Sequence, residues 1–464
     1  MPDLPPRRHR SKSSETESAR QHRTISSALN KREKDSRQKA SDCGMLHWVW
    51  VTLASVAAVV LLLCGGGGYW FYLRPQWALD AEIARIRAAG EPITPEEMRA
   101  YHRQMVGSDP IGQGEWVVVD ESAEQAFVDA ERNYEYLLSP EEVDDPEAYV
   151  AALRSTSDQL RSTIDRLINF DDRGRYIFAE IGYDSLDDLP QEFCEDLRWA
   201  TRLLAVECYR ATVDDRPERI YDAQFAILRM ISAIGRTPEP IVQLIRANLV
   251  RMLQPCVERT AETLNDDQLL SIQNKLKSIK FKDMATESLI CERSRTLFLL
   301  RNTSPAGDRL FLLRSLRKYL GATRLSIREW NIAFDTASHE VAHDTGFGDG
   351  GMLLLIGATE TLAKAFARAE AYTRAMRVFV AAIRIEKLNG RWPQEMGELV
   401  PRFLPEPVLD PYTDQPFQIL VENDQLVVYG VGSNGIDDGR DPSFGSDGEP
   451  LDIVIQQQSL PGAD

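Results

Sequence analysis

The chain has 464 residues and a formal net charge of -17, with 43% hydrophobic and 8% aromatic residues. At ~100–200 residues per domain this length allows two to four domains, and the composition excludes a wholly disordered or collagen-like chain. The charge is unevenly divided, because residues 1–44 carry a net +5 and the remaining residues carry -22. An acidic body of this kind argues against a nucleic-acid partner, since phosphate neutralisation requires clustered Lys and Arg.

Residues 1–44 form a basic segment that is rich in Ser, Arg, Lys and Gln and poor in aliphatic residues. Such a composition predicts disorder, because too little apolar surface is available to form a core. The basic charge could contact anionic lipid or nucleic acid, but a tail that orients a membrane span is the favoured interpretation. The sequence therefore predicts a disordered basic cytoplasmic tail over residues 1–44.

Residues 45–73 contain no Asp, Glu, Lys or Arg and are long enough for the ~20 apolar residues that span a bilayer. Trp48 and Trp50 lie at one end, and an aromatic run over residues 69–72 lies at the other, as in the aromatic belts of membrane helices. A cleaved signal peptide is disfavoured by the long leader and by the lack of an A-x-A site. A lipoprotein box at Cys64 is disfavoured by Leu63, which stands where a small residue is required.

The sequence therefore predicts an uncleaved signal-anchor, that is, one transmembrane helix over residues 45–73 with the lipid bilayer as its partner. The Lys and Arg residues of the leader favour a cytoplasmic N-terminus by the positive-inside rule. The bulk of the chain is then expected outside a bacterial inner (cytoplasmic) membrane.

Residues 74–349 show apolar residues at helical spacing, separated by Pro, Gly and Asp punctuation. The pattern predicts a helical ectodomain of eight to ten antiparallel helices, without a convincing fixed repeat. Four cysteines fall in this region and allow two disulfides with three possible pairings: Cys194, Cys208, Cys256 and Cys291.

The segment from Ser338 contains H-E-x-x-H, in which two histidines four residues apart share one helix face and can bind Zn²⁺. It extends to H-E-x-x-H-x-x-G-x-x-D and resembles the metzincin metalloproteases whose third ligand is Asp. The resemblance implies His339, His343 and Asp349 as zinc ligands and Glu340 as general base. The context disfavours zinc, because the preceding residues are small and the upstream region predicts helices rather than a substrate-aligning strand. The alternative is a polar loop or a frayed helix end between two helices.

Residues 350–464 begin with a predicted long helix, on which Leu362, Phe366, Ala369, Tyr372, Met376, Phe379 and Ile383 form one apolar stripe. After Asn389-Gly390 a Pro-rich stretch ends the helix. Alternating residues from Phe417 to Tyr429 then predict a hairpin with its turn at Asn423-Asp424, followed by a short strand at residues 451–455.

The ordered cues of this region are Asn389-Gly390 with Trp392-Pro393, then Leu399-Val400-Pro401, Leu409-Asp410-Pro411-Tyr412, and the run from Val427 to Gly439. Over about residues 363–441 they resemble the C-terminal part of type II secretion pseudopilins, and more closely the pseudopilin-like tail of many bacterial membrane proteins. The resemblance implies the module's fold and a calcium ion. The N-terminal signal of pseudopilins is absent, so polymerisation into a pilus is not implied.

Asn434, Asp437, Asp438 and Asp441 place four side-chain oxygen donors within eight residues, and Ca²⁺ prefers such ligands. The alternative is a solvated acidic loop that uses Asn, Asp and Gly for its turns.

Taken together, the sequence predicts a mainly α protein with a single transmembrane helix, a multi-helix ectodomain and a small α+β pseudopilin-like C-terminal module. The expected function is a non-enzymatic envelope scaffold, or an assembly or secretion-associated protein whose partners are envelope or secretion-machinery proteins. The alternative is a membrane-anchored zinc metalloprotease that uses His339, Glu340 and His343.

Overall fold

A computed structural model describes residues 48, 50–112, 123, 125–129, 137–140, 143–171, 173–178, 191–344, 350–445 and 448–462. Within these ranges only the backbone is described at residues 71–72, 342–344 and 350–358. The chain divides into two compact units, residues 1–77 and residues 78–464, which are described in turn.

The first unit contains helix α1, Trp50–Gly68, which has a mean hydropathy of 2.0 and no buried portion. Thr52 and Ser55 each donate their hydroxyl to the carbonyl four residues earlier, at 2.8 Å, so neither hydroxyl is left unsatisfied on the apolar surface. A π-helical turn follows at Tyr69–Leu73. The prediction of one helix long and apolar enough to cross a membrane is confirmed.

The helices that follow are mostly three turns or longer. They are α2 (Arg74–Ala88), α3 (Pro95–Val106), α4 (Pro146–Gln159), α5 (Arg161–Asn169), α6 (Gln191–Val213), α7 (Pro217–Ala233), α8 (Pro240–Thr260), α9 (Asp266–Ser278), α10 (Lys282–Leu299), α11 (Ala306–Thr323), α12 (Ile327–Asp344), α13 (Gly350–Asn389) and the single turn α14 (Met396–Leu399). Two short parallel strands, β1 (Ile111–Gly112) and β2 (Ile177–Phe178), pair with each other. The predicted mainly helical chain is confirmed.

Local sequence explains where several helices begin. Thr94 caps α3 in a reciprocal pair with Glu97, and Asn265 caps α9 in the same way with Gln268. These capping boxes satisfy backbone N–H groups that have no partner inside the helix. Proline occupies an initial position of α3, α4, α7 and α8, where its missing N–H costs nothing.

Helix α13 lies at the centre of the larger hydrophobic core and contacts α8, α9, α10 and the C-terminal sheet. All seven residues of the predicted apolar stripe are buried, which confirms the stripe as a packing face. Ala371, Ala375, Val378, Val380 and Ile385 are buried as well, so the packing surface extends around most of the helix. A helix that is apolar on most sides is a core helix, because neighbours must cover every apolar side.

The C-terminal sheet is antiparallel, in the order β3 (Gln418–Glu422), β4 (Gln425–Val431) and β5 (Asp452–Gln456). Glu422 pairs with Gln425, so the turn consists of Asn423 and Asp424, both with positive φ. A two-residue turn of this type matches the natural twist of the strands and favours Asn and Asp. The predicted hairpin and third strand are confirmed.

The four cysteines of the larger unit are buried free thiols, so the structure contains neither of the two disulfides considered from sequence. Burial raises the pKa of the Cys194 thiol to about 12. At neutral pH these side chains act as small apolar groups of the core.

Candidate functional site

The histidine motif lies at the C-terminal end of α12, where His339 and Glu340 are exposed. The Glu340 carboxylate forms a 3.1 Å ion pair with Lys318 of α11. The neighbouring residues Ser338 and Val341 hold the helix in place, since Ser338 hydrogen bonds to Tyr319 at 2.9 Å and Val341 is buried. In this arrangement Glu340 serves as one member of an ion pair between two helices.

The remaining members of the motif cannot be placed around Glu340. The side chain of His343 and all of Gly346 and Asp349 lie outside the described residues. The zinc interpretation therefore stays a prediction.

The acidic loop after β4 is built from turns that its own side chains close. The carboxamide oxygen of Asn434 accepts the N–H of Ile436 at 3.0 Å, and Asp437 accepts the N–H of Gly439 at 3.0 Å. Asp441 likewise accepts the N–H of Ser443 at 2.9 Å. Each is an Asx turn, in which a short polar side chain replaces a backbone acceptor two residues on.

A further carboxylate, which sequence reasoning did not single out, binds the backbone of the loop. Asp452 of β5 is fully buried and accepts the backbone N–H groups of Arg440 at 2.7 Å and Asp441 at 3.0 Å. It also lies 3.4 Å from the N–H of Asp438. Burial raises the pKa of the Asp452 carboxyl, although these N–H donors act in the opposite direction.

The loop oxygens do not form a ready cation cage in this conformation. Asn434 donates its amide to Asp438 at 2.6 Å, which turns one carboxylate oxygen toward the loop itself. Among the described residues, no three His, Cys, Asp or Glu side chains converge closely enough to hold a metal ion. The residues as placed do not fit a bound Ca²⁺, which needs six to eight oxygen ligands, and calcium stays a prediction.

The same loop borders a cleft between α12, α13 and the C-terminal module. The cleft has a volume of about 140 Å³ and is lined by Trp330 and Phe334 of α12, by Lys364 of α13 and by Tyr412 and Asn434 of the module. This volume is below the ~300 Å³ of common small-molecule sites. The cleft is therefore large enough for a side chain or a very small molecule.

Polar contacts on both sides fix the walls of this cleft. Asn331 donates its amide to the carbonyl of Ser433 at 2.6 Å, so α12 is tied directly to the acidic loop. On the rim, Lys364 pairs with Glu360 one helical turn earlier at 3.0 Å. Loop and helix are thus positioned together.

Buried Asp410, which bonds to Tyr412 of the cleft lining, connects the Pro-rich stretch to β4. Its carboxylate accepts the N–H of Tyr412 at 3.0 Å, the hydroxyl of Thr413 at 3.1 Å and the N–H of Val431 at 3.1 Å. Burial raises the pKa of this carboxyl to about 6. Gly430 allows the approach, because a Cβ there would lie 2.7 Å from the Phe417 ring and 3.0 Å from Asp410.

Further polar contacts join the module to the helical body. Arg368 of α13 pairs with Glu449 at 3.1 Å, and the carboxylate of Glu258 in α8 accepts the N–H of Gln456 at 3.1 Å. Gln273 of α9 donates to the carbonyl of Phe403 at 2.6 Å. Helices α8, α9, α12 and α13 therefore all hold the module.

Some of these residues carried a signal in the sequence and others did not. Asp452 comes directly before three apolar residues of a predicted strand, and a polar group next to such a run is a candidate for burial with hydrogen-bond partners. Asp410 sits in the L-D-P-Y motif, where a turn is expected. Trp330 and Asn331 carried no signal, because their role depends on how α12 docks.

The chain matches no protein-family model, no curated protein and no solved structure.

Proposed function

We propose that this protein is a single-pass, membrane-anchored and non-enzymatic scaffold of the bacterial cell envelope, with its N-terminus in the cytoplasm. Its larger unit presents a helical body and a pseudopilin-like C-terminal module to envelope or secretion-machinery proteins. The observation that carries the proposal is helix α1, a 19-residue apolar helix with no part of it buried in the protein.

An uncovered helix of this length supports membrane anchoring on energetic grounds. Leu61, Leu62 and Leu63 are each more than 70% exposed, and Trp48 and Trp50 are about two-thirds exposed. Burying apolar surface is worth ~25 cal/mol per Å², so a bilayer is the environment that best satisfies this surface. The hydroxyls of Thr52 and Ser55 already bond within the helix, as lipid requires.

A scaffolding role is supported by how firmly the module is held. Gln273 of α9 donates to the carbonyl of Phe403 in the module at 2.6 Å, and Arg384 of α13 holds Gln273 by donating to its carboxamide oxygen at 3.0 Å. Arg384 is itself fixed by a two-pronged pair with Asp266 of α9, at 2.7 and 3.1 Å. Two parallel N–H···O bonds fix geometry more strictly than a single contact. A module fixed in this way offers a constant surface to a partner, which suits an assembly role.

The pseudopilin-like identity of the module rests on the ordered motifs and on a compatible arrangement of elements. A long helix, a Pro-rich connection, a hairpin and an Asp-bearing loop follow one another in the expected order. The proposal extends to envelope assembly and not to pilus formation, because the chain lacks the N-terminal signal of pseudopilins.

Topology is tested with single engineered cysteines at Ser13 and at the exposed Ser459, in a background in which Cys43 and the other native thiols are replaced. Intact spheroplasts are treated with a membrane-impermeant thiol reagent. We expect labelling at Ser459 and not at Ser13. Labelling at Ser13 alone would contradict the proposed orientation. If both positions were labelled equally, and only after lysis, the proposed location of the larger unit outside the cytoplasmic membrane would be wrong.

The scaffold role is tested by native mass and by metal content of the full-length protein after mild solubilisation. We expect migration well above the 52.4 kDa monomer, with partner proteins in fixed ratio. A lone monomer would contradict a scaffold. Stoichiometric zinc that is lost in His339→Ala and His343→Ala would replace the proposal with the metalloprotease alternative.

A further inference from the structure

The larger unit contains a second cavity, distant in sequence from the acidic loop, whose ionisable residues are mostly basic. It has a volume of about 320 Å³ and lies where α7 and α9 end and α10 begins. The basic side chains on its lining are Arg175, Arg236, Arg246, Lys275 and Lys280, and Asp283 is the acidic one. Such a cluster is unexpected in a chain with a net charge of -17.

Arg246 is the central feature of this cavity, because its guanidinium is buried and only 3% of the residue is exposed. Nε donates to the carbonyl of Ile231 at 2.9 Å, and Nη1 donates to Gln243 at 3.2 Å and to the carbonyl of Lys280 at 3.0 Å. The guanidinium carbon lies 4.4 Å from the centre of the Phe281 ring. Neutral groups thus hold two of the three nitrogens in a fixed orientation.

The buried charge itself is not neutralised by a carboxylate. No ion pair joins Arg246 to any acidic side chain of the described residues. Glu370, the carboxylate with the largest electrostatic effect on Arg246, pairs with Arg374 at 3.0 Å and accepts the N–H of Phe281 at 2.9 Å. Burial lowers the pKa of Arg246 to about 10, so the side chain remains cationic at neutral pH.

A buried cation without an anionic partner is costly, and removal of a counter-charge from such a site is strongly destabilising. The position therefore favours an anion that comes from outside the chain. Nη2, the third nitrogen, is the one that the hydrogen bonds to Ile231, Gln243 and Lys280 leave available.

Gly235 keeps the space beside Nη2 open. A Cβ at this position would lie 3.3 Å from Nη2 and 2.8 Å from the carbonyl oxygen of Ser232. Any larger residue would therefore press on the guanidinium edge that lines the cavity.

The remaining cations surround this edge. Arg236 stacks on Tyr176 at 4.4 Å and donates Nη1 to the carbonyl of Met105 at 3.1 Å, so both its position and its charge are kept at the rim. Lys280 is exposed, and its side chain forms no ion pair with a described residue. Arg175 also lines the cavity and lies 3.7 Å from Asp109.

We propose that this basic cavity binds a phosphoryl anion, with Arg246 at its base and Arg236 and Lys280 at its rim. A phosphate carries up to two negative charges at neutral pH and three acceptor oxygens, which suits several converging donors. The cavity is within the ~300–1,000 Å³ range of small-molecule sites, so it has room for a phosphorylated small molecule or for a lipid phosphate headgroup.

The test uses the full-length protein in a neutral detergent and titrates inorganic phosphate and pyrophosphate by calorimetry, with chloride at matched ionic strength as the reference. We expect saturable binding of one anion per chain. Lys280→Gln should weaken binding about tenfold, which is the loss of one charge-assisted hydrogen bond. The double variant, which combines Lys280→Gln with Arg236→Gln, should bind the anions more weakly than Lys280→Gln alone.

Lys277→Gln is the matched control, because Lys277 lies on the same stretch of chain, is exposed and is not part of the lining. This variant should bind the anions less than about twofold more weakly, as expected for a distant screened charge. Equal weakening by Lys277→Gln and Lys280→Gln would overturn the proposal, as would phosphate binding no different from that of chloride. All variants are compared only where their thermal unfolding matches that of the parent chain.

Two further arms identify the source of the phosphoryl group. The protein is reconstituted in bilayer discs of phosphatidylcholine alone or with phosphatidylglycerol. A lipid source predicts that phosphatidylglycerol competes with added pyrophosphate in the parent chain and in Lys277→Gln but not in Lys280→Gln. A soluble source predicts the same pyrophosphate affinity in both discs.

Discussion

Asp452 shows how a single buried carboxylate can organise a whole loop. It receives two well-formed backbone N–H bonds, from Arg440 and Asp441, while the exposed Asp437 and the half-buried Asp441 each close one local turn. When a buried acceptor is removed, the N–H groups that donated to it stay unsatisfied, and each of them costs ~1–3 kcal/mol of stability. Loop geometry is therefore expected to depend on Asp452 far more than on the side chains of Asp437 and Asp441.

Asp452→Asn should lower the free energy of unfolding by about 2 kcal/mol, because the N–H groups of Arg440 and Asp441 then donate to a neutral oxygen and the new NH₂ faces the N–H of Asp438. Asp441→Asn is the matched control, since Asn closes the same Asx turn to Ser443. It should change stability by less than about 0.5 kcal/mol. Urea unfolding of the full-length protein measures both, and equal effects of the two variants would contradict the central role of Asp452.

His102 of α3 makes stability depend on pH. It is 1% exposed, and burial lowers the pKa of its imidazole to about 4, from an ordinary value of 6.5. The imidazole of the unfolded chain takes up its proton at a higher pH than the buried imidazole does, so protonation favours the unfolded chain. The free energy of unfolding is therefore highest above pH 6.5 and decreases as the pH falls toward 4. The shift corresponds to about 3 kcal/mol.

The measurement is the free energy of unfolding from pH 7.5 to 4 for the parent chain and for His102→Gln. The variant should lack this part of the loss of stability on the acid side. A profile of His102→Gln that parallels the parent at every pH would show that the imidazole is not the responsible group.

At the scale of elements, the features that could be predicted from sequence are those that depend on interactions between neighbouring residues. The hairpin turn at Asn423-Asp424, the third strand and the break after Asn389 all depend on residues next to each other, and the structure has all three. The extent of burial of α13 was not foreseen, because Ala371 and Ala375 are apolar enough for a core yet common on surfaces. The docking of Asn331 onto Ser433 depends on tertiary packing, and no local pattern encodes it.

The acidic loop provides the element-scale test of calcium. Asx turns and Asp452 already hold the loop, so we expect a chelator to change the melting temperature of the full-length protein by less than about 1 °C. A rise of several degrees in millimolar Ca²⁺, abolished by Asp437→Ala together with Asp438→Ala, would instead establish the calcium site expected from sequence. Glu395→Ala with Glu406→Ala is a control of equal charge change outside the loop.

At the scale of the whole molecule, the units on either side of the division between residues 77 and 78 differ in whether their apolar side chains are buried within the protein. The larger unit has its own hydrophobic cores, one around α13 and a smaller one that includes Leu79, Ile86 and Leu313. Helix α1 has no buried portion and depends on another environment. The larger unit should therefore not need α1 for its stability.

A chain that begins at Arg74 should therefore appear in the soluble fraction after high-speed centrifugation, whereas the full chain stays with membranes through high-salt and carbonate washes. The melting temperature of the shortened chain should lie within about 2 °C of that of the full chain, because few core contacts are removed. A loss of about 1 kcal/mol in the free energy of unfolding lowers the melting temperature of a domain of this size by only a few degrees. Leu79→Asp in the shortened chain is the internal comparison, since a charge at a position 1% exposed should lower the melting temperature strongly. A shortened chain that remains with washed membranes would show that α1 is not the principal anchor, and one that is soluble but unfolded would show that the two units fold together.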